Sequence, residues 1–87
     1  MIKQVVTIVN PTGIHARPAA NIAKLAGQYD ATIKLAHKDK EVDAKSIIGI
    51  MSLAAQAGEE VCITAEGNQA EEAVQALVDL LSKPFAE

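Results

Sequence analysis

Ile2-Lys3-Gln4-Val5-Val6-Thr7-Ile8-Val9-Asn10-Pro11-Thr12-Gly13-Ile14-His15-Ala16-Arg17-Pro18 passes from strand to turn to helix within residues 2–18. As far as Val9 it is rich in β-branched residues, with Ile2, Val6 and Ile8 on one face and Val5, Thr7 and Val9 on the other, which predicts a strand. Asn10-Pro11-Thr12-Gly13 ends that strand as a turn. From about Ala16 the apolar residues Ala19, Ile22, Ala23 and Ala26 recur at spacings of three and four, the pattern of a helix with one buried face, and Gly27 stops it. Pro18 fits the first helical turn, where its missing N–H loses no bond, but it biases Arg17 away from helical dihedrals. The helix therefore begins between His15 and Pro18.

The alternation resumes at Ala31 to Ala36, with Ile33 and Leu35 on one face, and Lys38-Asp39 reverses the chain into a short strand at Lys40 to Asp43. Ser46 is a good N-cap for a short helix reaching about Ala54. After Gly58, residues Glu60 to Ala65 predict a strand with Val61, Ile63 and Ala65 on one face. Gly67-Asn68 turns into a last helix whose stripe of Ala70, Ala73, Val74, Leu77, Leu80 and Leu81 ends before Pro84. The element order is βαββαβα. Four short strands and three helices predict an α+β fold, a two-layer sandwich with every helix on one sheet face and the other face, carrying Thr7, Lys34 and Thr64, open to water. Periodicity says nothing about strand order.

Eighty-seven residues make one domain, 1–87, with a single core. Tyr29 and Phe85 are the only aromatic residues, so a platform for stacking bases is missing, and a net charge of -3 argues against a binder of nucleic-acid backbone. Cys62 is the only cysteine, which excludes an internal disulfide and a multi-cysteine metal site. No charged leader with an apolar run precedes Ile2, and no apolar stretch approaches the roughly 20 residues of a membrane helix. These features predict a cytoplasmic protein without membrane insertion. The loops that cradle nucleotides and the carboxylate clusters that hold Mg²⁺ are missing from the sequence, so a phosphoryl group carried by this chain must come from another protein and leave to another.

His15 and Arg17 stand where a helix begins, a place that has unbonded N–H groups, carries partial positive charge and holds phosphate well. Imidazolium is disfavoured there, so a neutral ring keeps a lone pair for attack on an electrophile. Arg17 offers a planar fork of donors, yet it costs about 0.3 to 1 kcal/mol against the helix dipole unless an anion offsets it. That anion is a free phosphate, a carboxylate, or a phosphoryl group on His15. Lys24, two turns on, either adds positive potential for an acidic partner or simply solvates its helix. In the short helix, Ile47, Ile48, Ile50, Met51 and Leu53 are too many for one side to bury. If Ile50 and Leu53 point inward, Ile48 and Met51 face solvent as a patch for a protein partner. Ser46 is explained by capping, although a phosphoserine at a helix start is tolerated and changes the charge beside that patch. His37, beside a lysine-rich turn, reads as a solvated residue, and Cys62 as an unactivated thiol on the solvent face.

Gly13-Ile14-His15-Ala16-Arg17-Pro18-Ala19 together with Lys45-Ser46-Ile47-Ile48-Gly49-Ile50-Met51-Ser52-Leu53 resembles the HPr family, the histidine-containing phosphocarriers of the bacterial sugar phosphotransferase system. The likeness runs over nearly the whole chain. It implies an open-faced β-sandwich with an antiparallel sheet in order 1-4-2-3 and three helices over one face. It implies that His15 accepts a phosphoryl group on Nδ1 from enzyme I, itself charged by phosphoenolpyruvate, and passes it to IIA domains of sugar permeases. Arg17 and the backbone N–H groups at Ala16 and Arg17 would hold the phosphate. Thr12, Ala20, Lys24, Ile47, Ile48 and Met51 would meet the partners. Ser46 would be the target of an ATP-dependent HPr kinase/phosphorylase, its phosphorylation favouring a catabolite-control transcription regulator. The resemblance implies a monomeric carrier, no enzyme in its own right, needing neither cofactor nor metal. Ala20 stands where several members have threonine, Thr12 where serine or asparagine is common, and Ile48 where serine-regulated members often have methionine. A histidine at position 15 speaks against the regulatory paralogue that lacks one there. The alternative reading is a ferredoxin-like ligand-binding module or regulatory adaptor.

Overall fold

The alternating and helical patterns are realised as β1 (Ile2–Thr7), α1 (Ala16–Ala26), β2 (Thr32–His37), β3 (Lys40–Asp43), α2 (Ile47–Ser52), β4 (Glu60–Glu66) and α3 (Ala70–Leu81). The computed structural model describes residues 1–11, 13, 14 and 16–83. The strands form one sheet in the order β1-β4-β2-β3, every pair antiparallel. Across it Val5 faces Cys62 and Cys62 faces Ala36, while Lys3, Thr64 and Lys34 align in the next row. Because side chains alternate along a strand, this register sends Val6, Ile33, Leu35, Val61, Ile63 and Ala65 to the covered face. Thr7 and Lys34 are exposed on the other, and Thr64 is half-buried.

The helices bring small residues to the contact. Ala19, Ala23 and Ala26 of α1 and Ala70 and Ala73 of α3 are buried beside Ile22, Val74, Leu77 and Leu81, so the backbone of α3 lies close to β1 and β4 and that of α1 close to α2 and α3. Each fully buried leucine or isoleucine stabilises the fold by about 1.5–3 kcal/mol through removal from water. Leu35, Ile50, Ile63 and Leu77, all without exposed surface, are the centre of that contribution.

Several element ends differ from the pattern, and β2 runs Thr32–His37 where Ala31 to Ala36 is expected. β1 stops at Thr7 because Ile8 leaves the ladder, giving its N–H to Glu59 O (2.8 Å) and accepting from Gly58 N (2.8 Å), where Gly58 has φ +88. β4 runs one residue further, because Glu66 still faces Thr32. α2 stops at Ser52, since the left-handed backbone of Ala54 (φ 54) cannot continue a helix. The β2–β3 connection needs positive φ at its first residue, and Lys38 (φ 56) supplies it without glycine.

Candidate functional site

The approach to α1 is bound to the segment that follows α2. Asn10, fully buried, donates from Nδ2 to Gly13 O (2.9 Å), while its own carbonyl accepts the Gly13 N–H (2.9 Å). Gly13 has φ +70, and a Cβ there would lie 2.7 Å from Ala55 O, so glycine is required by both the dihedral and the contact. The buried Ile14 then donates its N–H to the same Ala55 oxygen (3.0 Å). Next in sequence come His15 and α1. His15 and Thr12 lie outside the described residues, as do Pro84 and Phe85.

Helix α1 begins at Ala16, inside the expected interval. Its first turn contains no acidic residue, Pro18 contributes no amide, and Ala16 and Arg17 are exposed while Pro18 and Ala19 are buried. A helix N-terminus that carries arginine and no carboxylate is suited to an anion. Ala20 is half-buried and Lys24 exposed. Arg17 and Lys24 are seven residues apart on one helix face, about 10 Å along the axis. Lys24 also lies in the last turn, where the dipole favours a cation.

Helix α2 packs against α1 and β3. Ser46 Oγ accepts the Gly49 N–H (3.0 Å) and Ser46 O the Ile50 N–H (2.9 Å), the expected N-cap. Ile50 and Leu53 are buried, whereas Ile48 is 82% exposed and Ile47 and Met51 are more than two-fifths exposed. The expected division of this helix is present, and its outer side is an apolar patch.

His37 is where the sequence reading fails. It is 6% exposed rather than solvated, with Nδ1 2.9 Å from Leu53 O and Nε2 3.1 Å from Glu59 Oε1. A carbonyl oxygen only accepts, so Nδ1 carries the proton in the first contact. The second is close enough for an ion pair, but the carboxylate lies off the line of a ring N–H, and Nε2 gains no well-directed hydrogen bond. Glu59 also accepts the Gln56 N–H (2.8 Å) and meets Lys38 Nζ (3.4 Å). The Gln56 amide is the largest cause holding the Glu59 carboxyl below its ordinary 4.5; burial opposes it and Lys38 assists. Parity held the signal for His37, which continues the inward series Ile33, Leu35.

Among the described residues no helix is long and apolar enough to cross a membrane, and no group of three or more histidine, cysteine or carboxylate side chains is placed to hold a metal ion.

This fold and these elements have close counterparts. The family described as the PTS HPr component phosphorylation site matches residues 2–83. The phosphocarrier protein HPr of Cupriavidus necator is 39% identical over 87 residues, covering 100% of this chain and 98% of its own. The crystal structure of HPr-C-His from Thermoanaerobacter tengcongensis superimposes with a TM-score of 0.89 at 46% identity, covering 93% of this chain and 91% of that one. That of the phosphocarrier protein HPr from Bacillus anthracis gives 0.89 at 41% identity, covering 92% and 95%. The family match, with the full-length likeness to HPr proteins of the same fold, places the chain among phosphocarrier proteins. The chain belongs to the HPr family of the phosphotransferase system.

Proposed function

We propose that this chain, as one domain over residues 1–87 in the cytoplasm, accepts a phosphoryl group on His15 from phospho-enzyme I and delivers it to IIA domains of sugar permeases. The observation that carries the reading is the start of α1, where Arg17 sits in a first turn without carboxylates, two residues after His15 in the chain, within the residues matched by the HPr family. The Nδ1 lone pair of a neutral imidazole attacks phosphorus as the bond from phosphorus to the donor breaks, its electron pair leaving on the donor. Arg17 and the amides at Ala16 and Arg17 meet the charge on the transferring oxygens. Delivery is the same step reversed onto a new acceptor, so in this reading the chain is the phosphoryl acceptor and donor for the proteins on either side, a carrier rather than an enzyme.

The exposed Ile47, Ile48 and Met51, with Thr12, Ala20 and Lys24, form the docking surface in this reading. Binding is weak, since a shuttle that held either partner tightly could not turn over. Ser46 is a regulatory site for a serine kinase, its phosphorylated form meeting a catabolite-control regulator. A dianion is compatible with a helix start and lies next to the patch. Membership of the HPr family weighs against the ligand-binding alternative.

Incubation with enzyme I and phosphoenolpyruvate, followed by mass analysis, tests the reading. The expected product carries one acid-labile phosphoryl group on His15, and His15→Ala abolishes it without changing the melting temperature. A His15→Ala protein that is still phosphorylated by enzyme I would refute the assignment.

A further inference from the structure

We infer that Asn10 is a positioning residue for phosphoryl transfer: its buried amide fixes the turn through Gly13 and so sets where the chain enters α1. The inference rests on the carrier reading of His15 and Arg17. Asn10 follows Val6 and Ile8 on the inward parity, a place where an apolar side chain would pack without difficulty. A polar amide there is costly unless its hydrogen bonds are made. Asn10 Nδ2 donates to Gly13 O and Asn10 O accepts the Gly13 N–H, each at 2.9 Å, so both backbone polar groups of Gly13 are held by one residue. Gly13 is pressed against Ala55 O, and Ile14 is bonded to that same atom. Residues 13 and 14 are therefore constrained from two sides immediately before His15.

The strand pairing of the sheet does not depend on this arrangement. The bonds of Ile8 to Glu59 and Gly58 already tie down the end of β1 before Asn10 is reached, and none of the described residues Asn10, Pro11, Gly13 and Ile14 takes part in strand pairing. What the amide adds is accuracy at the start of α1. Transfer between proteins is sensitive to that accuracy, since a displacement of about 1 Å at a reacting group can lower a rate by about 10²-fold.

The test compares the full chain with Asn10→Leu, Asn10→Asp and Asn10→Ser. The first keeps bulk without polarity, the second keeps shape without the donor, and the third retains a shorter donor. Steady-state phosphoryl uptake from enzyme I charged by phosphoenolpyruvate is measured beside amide hydrogen exchange. For Leu and Asp the expected result is a kcat of enzyme I lowered by about tenfold or more with the variant as substrate, its KM for the variant within about twofold of that for the parent. Exchange quickens at Gly13 and Ile14 but not at Ile63 in β4, and Asn10→Ser lies between. If one variant does not fold, the others decide. A kcat within about twofold of the parent in the donor-less variants overturns the inference. So does a parallel loss of kcat, KM and protection at Ile63, which marks a merely structural residue. A parent protein that takes up no phosphoryl group would sink the carrier reading and this inference with it; normal transfer by parent and variants alike sinks this inference alone.

Discussion

Replacing Gly13 by alanine separates two costs that usually come together. The first is the dihedral: an L-residue at φ +70 is strained by about 1–2 kcal/mol. The second is contact, because the new Cβ would sit 2.7 Å from Ala55 O and 3.1 Å from Gln56 Cα. Both are backbone atoms, so relief requires moving the 55–56 segment and lengthening the Ile14–Ala55 hydrogen bond, worth about 0.5–1.5 kcal/mol. The lower entropy of the unfolded alanine chain returns about 0.4–1 kcal/mol. The net expectation is a loss of about 2 kcal/mol, or about 10 °C in melting temperature for a domain of this size. Gly58→Ala is the internal control. It has φ +88 but nothing within 4 Å of a built Cβ, so it bears the dihedral cost alone. Urea unfolding at constant m should place Gly13→Ala below Gly58→Ala by about 1 kcal/mol. Equal midpoints for the two variants would show that the packing of Gly13 on Ala55 contributes nothing, and would remove the physical basis for an over-determined loop.

Ser46→Ala leaves the Gly49 N–H without its cap and should cost about 1 kcal/mol in urea unfolding; an unchanged midpoint would mean that water replaces the hydroxyl without loss. Glu59→Gln tests the acid side of stability. A carboxyl whose folded pKa is depressed contributes stability that is complete above its ordinary 4.5 and is lost as pH falls through the folded value. The glutamine variant should therefore unfold more easily than the parent near neutrality, the gap narrowing below pH 4.5, and a gap independent of pH would contradict the assignment. Ile48→Asp, at a largely exposed position, should leave stability within about 0.5 kcal/mol while raising KM for enzyme I about tenfold. A change in stability without a change in KM would assign Ile48 to the core instead of the docking surface.

The parts of the fold legible in the sequence are those set by which face of an element is buried. Ile33 and Leu35, Val61 and Ile63, and the α3 stripe all announce an inward side, and the structure buries them except Leu80, which is only partly buried. The same reasoning divides α2 into inner Ile50 and Leu53 and outer Ile48 and Met51, because a two-turn helix against a sheet has only one side to bury. Strand order is not legible in this way, since alternation records a residue's face and not its neighbouring strand; it came from likeness to a family. His37 and Asn10 were missed for another reason. Both continue inward series, Ile33-Leu35-His37 and Val6-Ile8-Asn10, but a polar side chain reads as solvated until its partners are known. Those partners are Leu53 O and Glu59 for one and Gly13 for the other. Leu53 and Glu59 are distant from His37 in the chain, so no local pattern could indicate them.

The placement of these two buried polar residues bears on how a carrier can be accurate while binding weakly. Affinity cannot align the reacting groups of a short-lived complex, so alignment must be built into each partner before they meet. In this chain the apolar patch belongs to α2 and the proposed anion site to the start of α1, and the segment from Leu53 to Gln56 follows α2 and bonds to Ile14 before α1. His37 holds that segment at Leu53 O, Glu59 closes it on the Gln56 N–H, and Ala55 O reaches across to Ile14. Asn10 then holds Gly13 on the far side of the same contact. If the proposed partner seats on Ile48 and Met51, hydrogen bonds of 2.8–3.0 Å connect its seat to the backbone immediately before His15. Loosening either end should leave docking intact and blur the transfer.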